Sequence, residues 1–121
     1  MNQHNIKLEK INHLILKHLN LIIKTNFNHN QNLKIISFRE VKINNNYSRA
    51  LVYYTFLSNF NEDVRLKNTI KKALMKNTKT LRFFLAQKLT LYKTPQLKFI
   101  YDDGIEQGNK IEKIISKIHK K

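Results

Sequence analysis

The stretch from Ile36 to Leu57, ISFREVKINNNYSRALVYYTFL, predicts a β-hairpin. Both arms are rich in β-branched and aromatic residues, and the three asparagines between them tolerate positive φ angles better than most residues. We predict strands over Leu33–Ile43 and Arg49–Leu57. In the first arm the alternation shifts phase near Phe38 and Arg39, which indicates a β-bulge. Because the second arm has apolar or aromatic side chains on both faces, we expect it inside a sheet.

Helical patterns lie on either side of this hairpin. Residues 5–24 carry apolar side chains at spacings of three and four, which makes one apolar face. A second helical region runs from about Asn61 to Leu91 without a proline. Its apolar pattern changes after Thr80, just beyond the poor helix formers at the centre of Lys-Asn-Thr-Lys at 76–79. We therefore predict two helices joined by a kink at 76–79.

The third informative stretch is TPQLKFIYDDGIEQGNKIEKIISKI, from Thr94 to Ile118. It predicts a strand over Leu97–Tyr101, a capping box over residues 103–106 and a C-terminal helix at about 105–119, followed by a basic tail. The predicted order is α-β-β-α-kink-α-β with a C-terminal helix. A β-α-α-β unit with a basic corner between its helices is typical of the K-homology fold. We predict an α+β chain with one such domain, in the type II variant.

Charge is the strongest indication of a partner. The chain has 23 Lys and Arg against 8 Asp and Glu, a formal net charge of +15, and no acid lies between Val64 and Tyr101. Surfaces of one sign usually face a polyanion. Nucleic acid is favoured over an anionic membrane, and a solvated face of a lysine-rich protein is the plainest alternative. The sequence has no apolar run long enough for a membrane span, no signal peptide and no cysteine, so we expect a cytoplasmic protein.

The sequence offers no constellation typical of an enzyme. Asp102 and Asp103 form a close acidic pair, but the residues that follow explain Asp103 as a helix cap. The two glycines, Gly104 and Gly108, do not form a phosphate-binding loop, and no Ser/His/Asp arrangement is suggested by spacing. We predict a binding protein with no catalytic residues, no metal site and no cofactor.

The order of features over Thr94–Ile118, together with the hairpin and its Asn46, Ser48 and Ala50, resembles the ribosome-binding factor A family. The resemblance covers nearly the whole chain and implies one domain over residues 1–121. It implies a monomer that binds the free small ribosomal subunit and its ribosomal RNA, and that assists late maturation of this RNA, particularly in the cold. It implies neither a membrane nor a small-molecule substrate. The alternatives are a general RNA- or DNA-binding protein of the K-homology type and an enzyme acting on RNA.

Candidate RNA-binding residues lie mainly around the predicted kink. K-homology domains approach RNA with a GxxG loop between two helices, and the family's alanine-x-glycine kink maps onto Asn77, Thr78 and Lys79, where both the alanine and the glycine are absent. Tyr53 and Phe84 are expected in the core, whereas Tyr47 fits either the core or a stacking role. The full candidate set is Lys71, Lys72, Lys76, Asn77, Thr78, Lys79, Arg82, Arg39 and Arg49.

Overall fold

The computed structural model describes residues 3–57, 64–90 and 93–102. The elements follow one another as α1 (Gln3–Asn26), β1 (Ile36–Ile43), β2 (Arg49–Phe56), α2 (Val64–Lys88) and β3 (Gln96–Tyr101). This order confirms the predicted α+β class. The C-terminal helix predicted at about 105–119, its cap and the basic tail lie outside the described residues.

The three strands form one sheet in the order β1-β2-β3. β1 and β2 are antiparallel, whereas β2 and β3 are parallel and joined through α2. The register of the hairpin shifts between Phe38 and Glu40, which confirms the predicted bulge. β2 is the central strand, as its apolar composition predicted. The parallel β-α-β crossover matches a K-homology-like arrangement of type II.

α2 is one continuous α-helix from Val64 to Lys88, in place of the two helices predicted on either side of a kink at 76–79. The prediction of two helices was wrong. The buried side chains Ile70, Leu74, Leu81 and Leu85 fall within about 60° of one another at 100° per residue, so one apolar face passes through residues 76–79. The poor helix formers are also accommodated. Asn77 Nδ2 donates to the carbonyl of Ala73 at 2.8 Å and Thr78 Oγ1 to that of Leu74 at 2.7 Å.

The hairpin turn also differs from the prediction, which expected a positive φ angle at one of its asparagines. Among the described residues the non-glycine residue with positive φ is Tyr47, at 60°, and not one of the asparagines. The asparagine side chains instead hold the turn closed: Asn44 Oδ1 accepts from the backbone N–H of Arg49 at 3.0 Å, and Asn46 Oδ1 accepts from Ser48 Oγ at 2.6 Å. Tyr47 is half-buried, packs against the core and meets the ring of His4 edge-on at 6.3 Å.

The core lies between one face of the sheet and the two helices. Ala50, Val52, Tyr54 and Phe56 of β2 are buried on this face together with side chains of α1 and α2. Phe84, predicted in the core, packs there. Residues on the opposite face of β2 are half-buried at most, and Tyr53 is among them, with Lys42 Nζ 5.6 Å from its ring centroid. The expectation that Tyr53 belongs to the core was therefore wrong.

Two asparagines of α1 attach the helix to β1, a strand at the edge of the sheet. Asn20 bonds the backbone of Phe38 twice, with Nδ2 donating to the carbonyl at 2.9 Å and Oδ1 accepting from the N–H at 2.8 Å. Asn12 Oδ1 accepts from the N–H of Ile43 at 2.8 Å. Edge strands expose unpaired backbone groups, and these amides satisfy three of them next to the bulge and at the strand end.

Replacing Asn20 with alanine should lower the free energy of unfolding by about 1–3 kcal/mol, because both backbone groups of Phe38 lose their partner in a half-buried setting. Chemical denaturation measures the change. Asn28→Ala, at an exposed loop position, is the matched control and should stay within about 0.5 kcal/mol of the parent protein. Equal stabilities of the two variants would contradict an anchoring role for Asn20.

Burial raises the pKa of the Tyr54 phenol above its ordinary value of 10.0, and Tyr101 adds to the rise. The folded state then holds this proton more tightly than the unfolded chain. The resulting stability is present below pH 10 and is lost as the pH rises from 10 through the folded pKa. Tyr54→Phe should therefore make the alkaline fall in unfolding free energy shallower, measured by denaturation at successive pH values. An alkaline profile of Tyr54→Phe that is identical to that of the parent protein would contradict the assignment.

Candidate nucleic-acid interface

The outer surface of α2 carries a row of exposed cations. Lys72, Lys76 and Lys79 recur at spacings of four and three, fall within about 60° of one another around the helix and extend about 10 Å along its axis. We call these three residues the lysine stripe. Lys71 is exposed on the flank that faces β3. α2 thus presents four of the predicted RNA-binding residues to solvent, three in the lysine stripe and Lys71 on the flank.

α2 contains no carboxylate that could neutralise its lysines. No Asp or Glu occurs between Val64 and Tyr101. In the part of the chain that the structure describes, the ion pair is that of Lys42 and Glu40, 3.9 Å apart on β1. A row of cations that forms no ion pair among the described residues raises the local concentration of anionic ligands and is suited to the phosphates of nucleic acid.

A groove of 260 Å³ runs between α2 and β3. Lys71 contributes a cation to its lining, Leu74, Met75 and Leu97 contribute apolar surface, and Lys98 lines it from β3. A lining of this kind can contact both the charged backbone and the apolar parts of a nucleic-acid strand.

A second groove, of 380 Å³, lies on the other flank of α2. Lys72 and Lys76 line it from the helix, and Asn30 and Asn32 line it from the loop that precedes β1. Asn30 Oδ1 holds this loop by accepting from the backbone N–H groups of Asn32 and Leu33, both at 3.0 Å. The groove is polar and basic, so it offers charge and amide groups to an anion.

Three candidates on α2 have partners within the protein. The polar side chains of Asn77 and Thr78 donate to carbonyls of their own helix and are half-buried. Arg82 Nε donates to the carbonyl of Pro95 at 3.0 Å, and Nη2 donates to that of Thr94 at 2.9 Å. These hydrogen bonds attach α2 to the segment that leads into β3. Arg82 therefore has a structural role in the fold.

Arg39 and Arg49 lie on other elements. Arg39 is exposed at the bulge of β1, on the edge of the sheet opposite β3, in a groove shared with Glu9 and His13 of α1. Arg49 is exposed at the start of β2, directly after the hairpin turn. The structure thus places the four exposed lysine candidates, Lys71, Lys72, Lys76 and Lys79, on one helix, and it places Arg39 and Arg49 on other elements.

Some residues of this surface were not in the predicted set. Lys98, Asn30 and Asn32 line the two grooves, and Met75 and Phe83 are 68% and 60% exposed on α2. Tertiary packing brings Lys98 and the asparagines to α2, and no local pattern indicates it. The two apolar residues carried a usable signal, because on a continuous helix they share a face with the lysine stripe.

Comparison with known proteins places the chain in a family. The family model described as ribosome-binding factor A matches residues 7–115. Ribosome-binding factor A of Phytoplasma mali is 41% identical over 113 residues, 93% of this chain and 96% of that protein. That of Staphylococcus epidermidis is 40% identical over 85 residues, 70% of each chain.

The fold agrees with this match. The crystal structure of ribosome-binding factor A from Thermus thermophilus superposes with a TM-score of 0.64 at 18% identity, over 78% of this chain and 93% of that one. No helix among the described residues is long and apolar enough to cross a membrane. The sequence match over most of the chain, and not the fold alone, decides the assignment: the chain belongs to the ribosome-binding factor A family.

Proposed function

We propose that this chain is a ribosome assembly factor, which binds the free small ribosomal subunit and its ribosomal RNA and assists late maturation of that RNA. The observation that carries the proposal is the exposed lysine stripe on α2, without an acid from Val64 to Tyr101, in a member of the ribosome-binding factor A family. Other members of the family are named for ribosome binding. Ribosomal RNA supplies the polyanion that such a surface requires.

Binding proceeds by electrostatic steering followed by docking of α2. The lysine stripe contacts phosphates, and the groove with Lys71 and Lys98 receives part of the adjoining strand. The protein acts by holding one conformation of the RNA, and it uses no catalytic residue, metal or cofactor. Because misfolded RNA escapes slowly at low temperature, this assistance matters most in the cold. The factor acts as a single-domain monomer in the cytoplasm.

Sedimentation with purified ribosomal particles tests this function. The protein should pellet with free small subunits and remain in the supernatant with assembled ribosomes. Excess duplex DNA should not displace it from small subunits, which separates a ribosome-specific factor from a general nucleic-acid binder. Equal pelleting with both particles, or displacement by duplex DNA, would contradict the proposal.

The affinity should also depend steeply on salt. Suppose that each of the three lysines of the stripe, and Lys71, neutralises one phosphate. A plot of the logarithm of the association constant against the logarithm of salt concentration should then have a slope of about −3, since single strands give roughly −0.7 per phosphate. Titration of fluorescent protein with small subunits at several salt concentrations measures the slope. A slope near zero would exclude a phosphate-dominated interface.

A further inference from the structure

Phe83 places an aromatic ring in solvent at the end of the lysine stripe. Its side chain is 60% exposed, although it belongs to a helix whose other face is fully buried. It follows Lys79 by four residues, which is about 6 Å along the axis, and lies within about 40° of all three lysines of the stripe around the helix. The ring and the cations therefore face the same volume of solvent.

The ring is supported from behind by two further aromatic residues. Phe83 and Phe84 meet edge to face with centroids 5.6 Å apart, and Phe84 meets Phe27 in the same way at 6.2 Å. Phe27 is buried at the end of α1, so the series leads from solvent into the core. Such contacts restrict the orientation of the outer ring, which remains 60% exposed.

We propose that Phe83 is a stacking platform for an unpaired base of single-stranded RNA whose phosphates lie along the lysine stripe. The inference rests on the proposed RNA-binding function and specifies that the RNA bound at this surface is unpaired. An aromatic ring beside cations is the arrangement by which proteins hold single strands, because every unpaired base has an accessible π-face. In a duplex those faces are covered by stacking on neighbouring base pairs, and a helix-borne ring cannot reach them.

Charge favours RNA over a second copy of the chain as the occupant. The chain has a formal net charge of +15, and contact between two copies through this surface would bring their lysine stripes together. A polyanion removes that repulsion and offers apolar bases to the exposed ring. An unpaired RNA strand satisfies both the cations and the phenylalanine.

Binding of a ten-nucleotide RNA of adenine and cytosine, which cannot pair with itself, tests the inference in the full-length protein. Phe83→Ala and Phe83→Leu should each weaken this complex on the order of 5- to 150-fold, the range for loss of one stacked base. Binding of the same RNA annealed to its complement should change less than twofold. Phe83→Trp should restore single-strand affinity, because the indole also stacks.

The tryptophan variant adds a spectroscopic test. The chain has no tryptophan, so Phe83→Trp introduces a single reporter whose fluorescence a stacked base quenches. Leu14→Trp, at a position 46% exposed on α1, is the matched control and should not be quenched at saturating RNA. Single-strand affinity that is unchanged in Phe83→Leu, or an unquenched Trp at position 83, would overturn the inference.

RNA binding by variants tests base stacking, whereas pelleting with small subunits tests the proposed function. Loss of RNA binding on charge reversal of the lysine stripe, with normal binding by Phe83→Ala, would overturn stacking and leave the interface in place. Failure of the parent protein to pellet with small subunits would overturn the function itself. A dimer in sedimentation that becomes a monomer in Phe83→Ala would also overturn stacking, since it would assign the ring to contact between copies.

Discussion

Replacing Lys72, Lys76 and Lys79 together with glutamate should weaken binding to free small subunits at least roughly 100-fold at 0.1 M salt. The estimate follows from three lost phosphate contacts, each contributing about 0.7 to the salt slope. The slope itself should become shallower by about 2. All three side chains are exposed, so the melting temperature should change little.

α1 offers a matched control for this variant. Lys10, Lys17 and Lys24 are also exposed, and reversing them to glutamate changes the net charge by the same amount. This control should retain most of the affinity, because its charges lie on a different helix. Equal losses in the two triple variants would mean that net charge, and not the lysine stripe, governs binding.

Replacing Arg82 with alanine should lower the free energy of unfolding by about 2–4 kcal/mol, because the carbonyls of Pro95 and Thr94 lose two charge-assisted hydrogen bonds. These bonds fix the segment leading into β3. Arg82→Lys should recover part of the stability at most, since an ammonium group lacks the planar fork that reaches both carbonyls. Urea denaturation measures the differences, with Lys79→Ala as the exposed control on the same helix.

The outcome separates two roles for Arg82. If the side chain is structural, small-subunit binding by Arg82→Ala should remain within about threefold of the parent protein below its melting temperature. Unchanged stability together with a large loss of binding would instead assign the guanidinium to RNA. For this reason Arg82 is left out of the charge reversal, although the sequence alone groups it with Lys76 and Lys79.

Much of the fold could be predicted because its signals are local. The hairpin and the bulge beside Phe38 follow from alternation and turn residues, and the central position of β2 follows from apolar side chains on both of its faces. The kink was predicted from low helix propensity at Asn77 and Thr78, and tertiary burial of Leu74 and Leu81 on one face overrides that propensity. The positive φ lies at Tyr47, whereas asparagine side chains close the turn by hydrogen bonds, and residue preferences alone do not show which turn position takes which role.

The sequence predicted which charged residues belong to the candidate site, but it did not predict where their side chains lie in the fold. Lys72, Lys76 and Lys79 share a surface because a continuous helix spaces them regularly. The inward direction of Arg82 depends on two carbonyls thirteen and twelve residues away, which no helical pattern reveals. The positions of Arg39 and Arg49 depend on strand order, and this order becomes certain only when β3 is placed beside β2.

A radical source tethered to the outer surface of α2 tests directly whether that surface faces ribosomal RNA. Because the chain has no cysteine, Lys79→Cys introduces a single site for a tethered iron chelate that generates hydroxyl radicals. In the complex with free small subunits, iron at position 79 should cut a defined segment of small-subunit RNA. Iron at Lys42→Cys, on the opposite face of the sheet, should cut weakly or not at all. Strong cutting from position 42 with none from position 79 would show that the opposite face of the sheet, and not α2, faces the RNA.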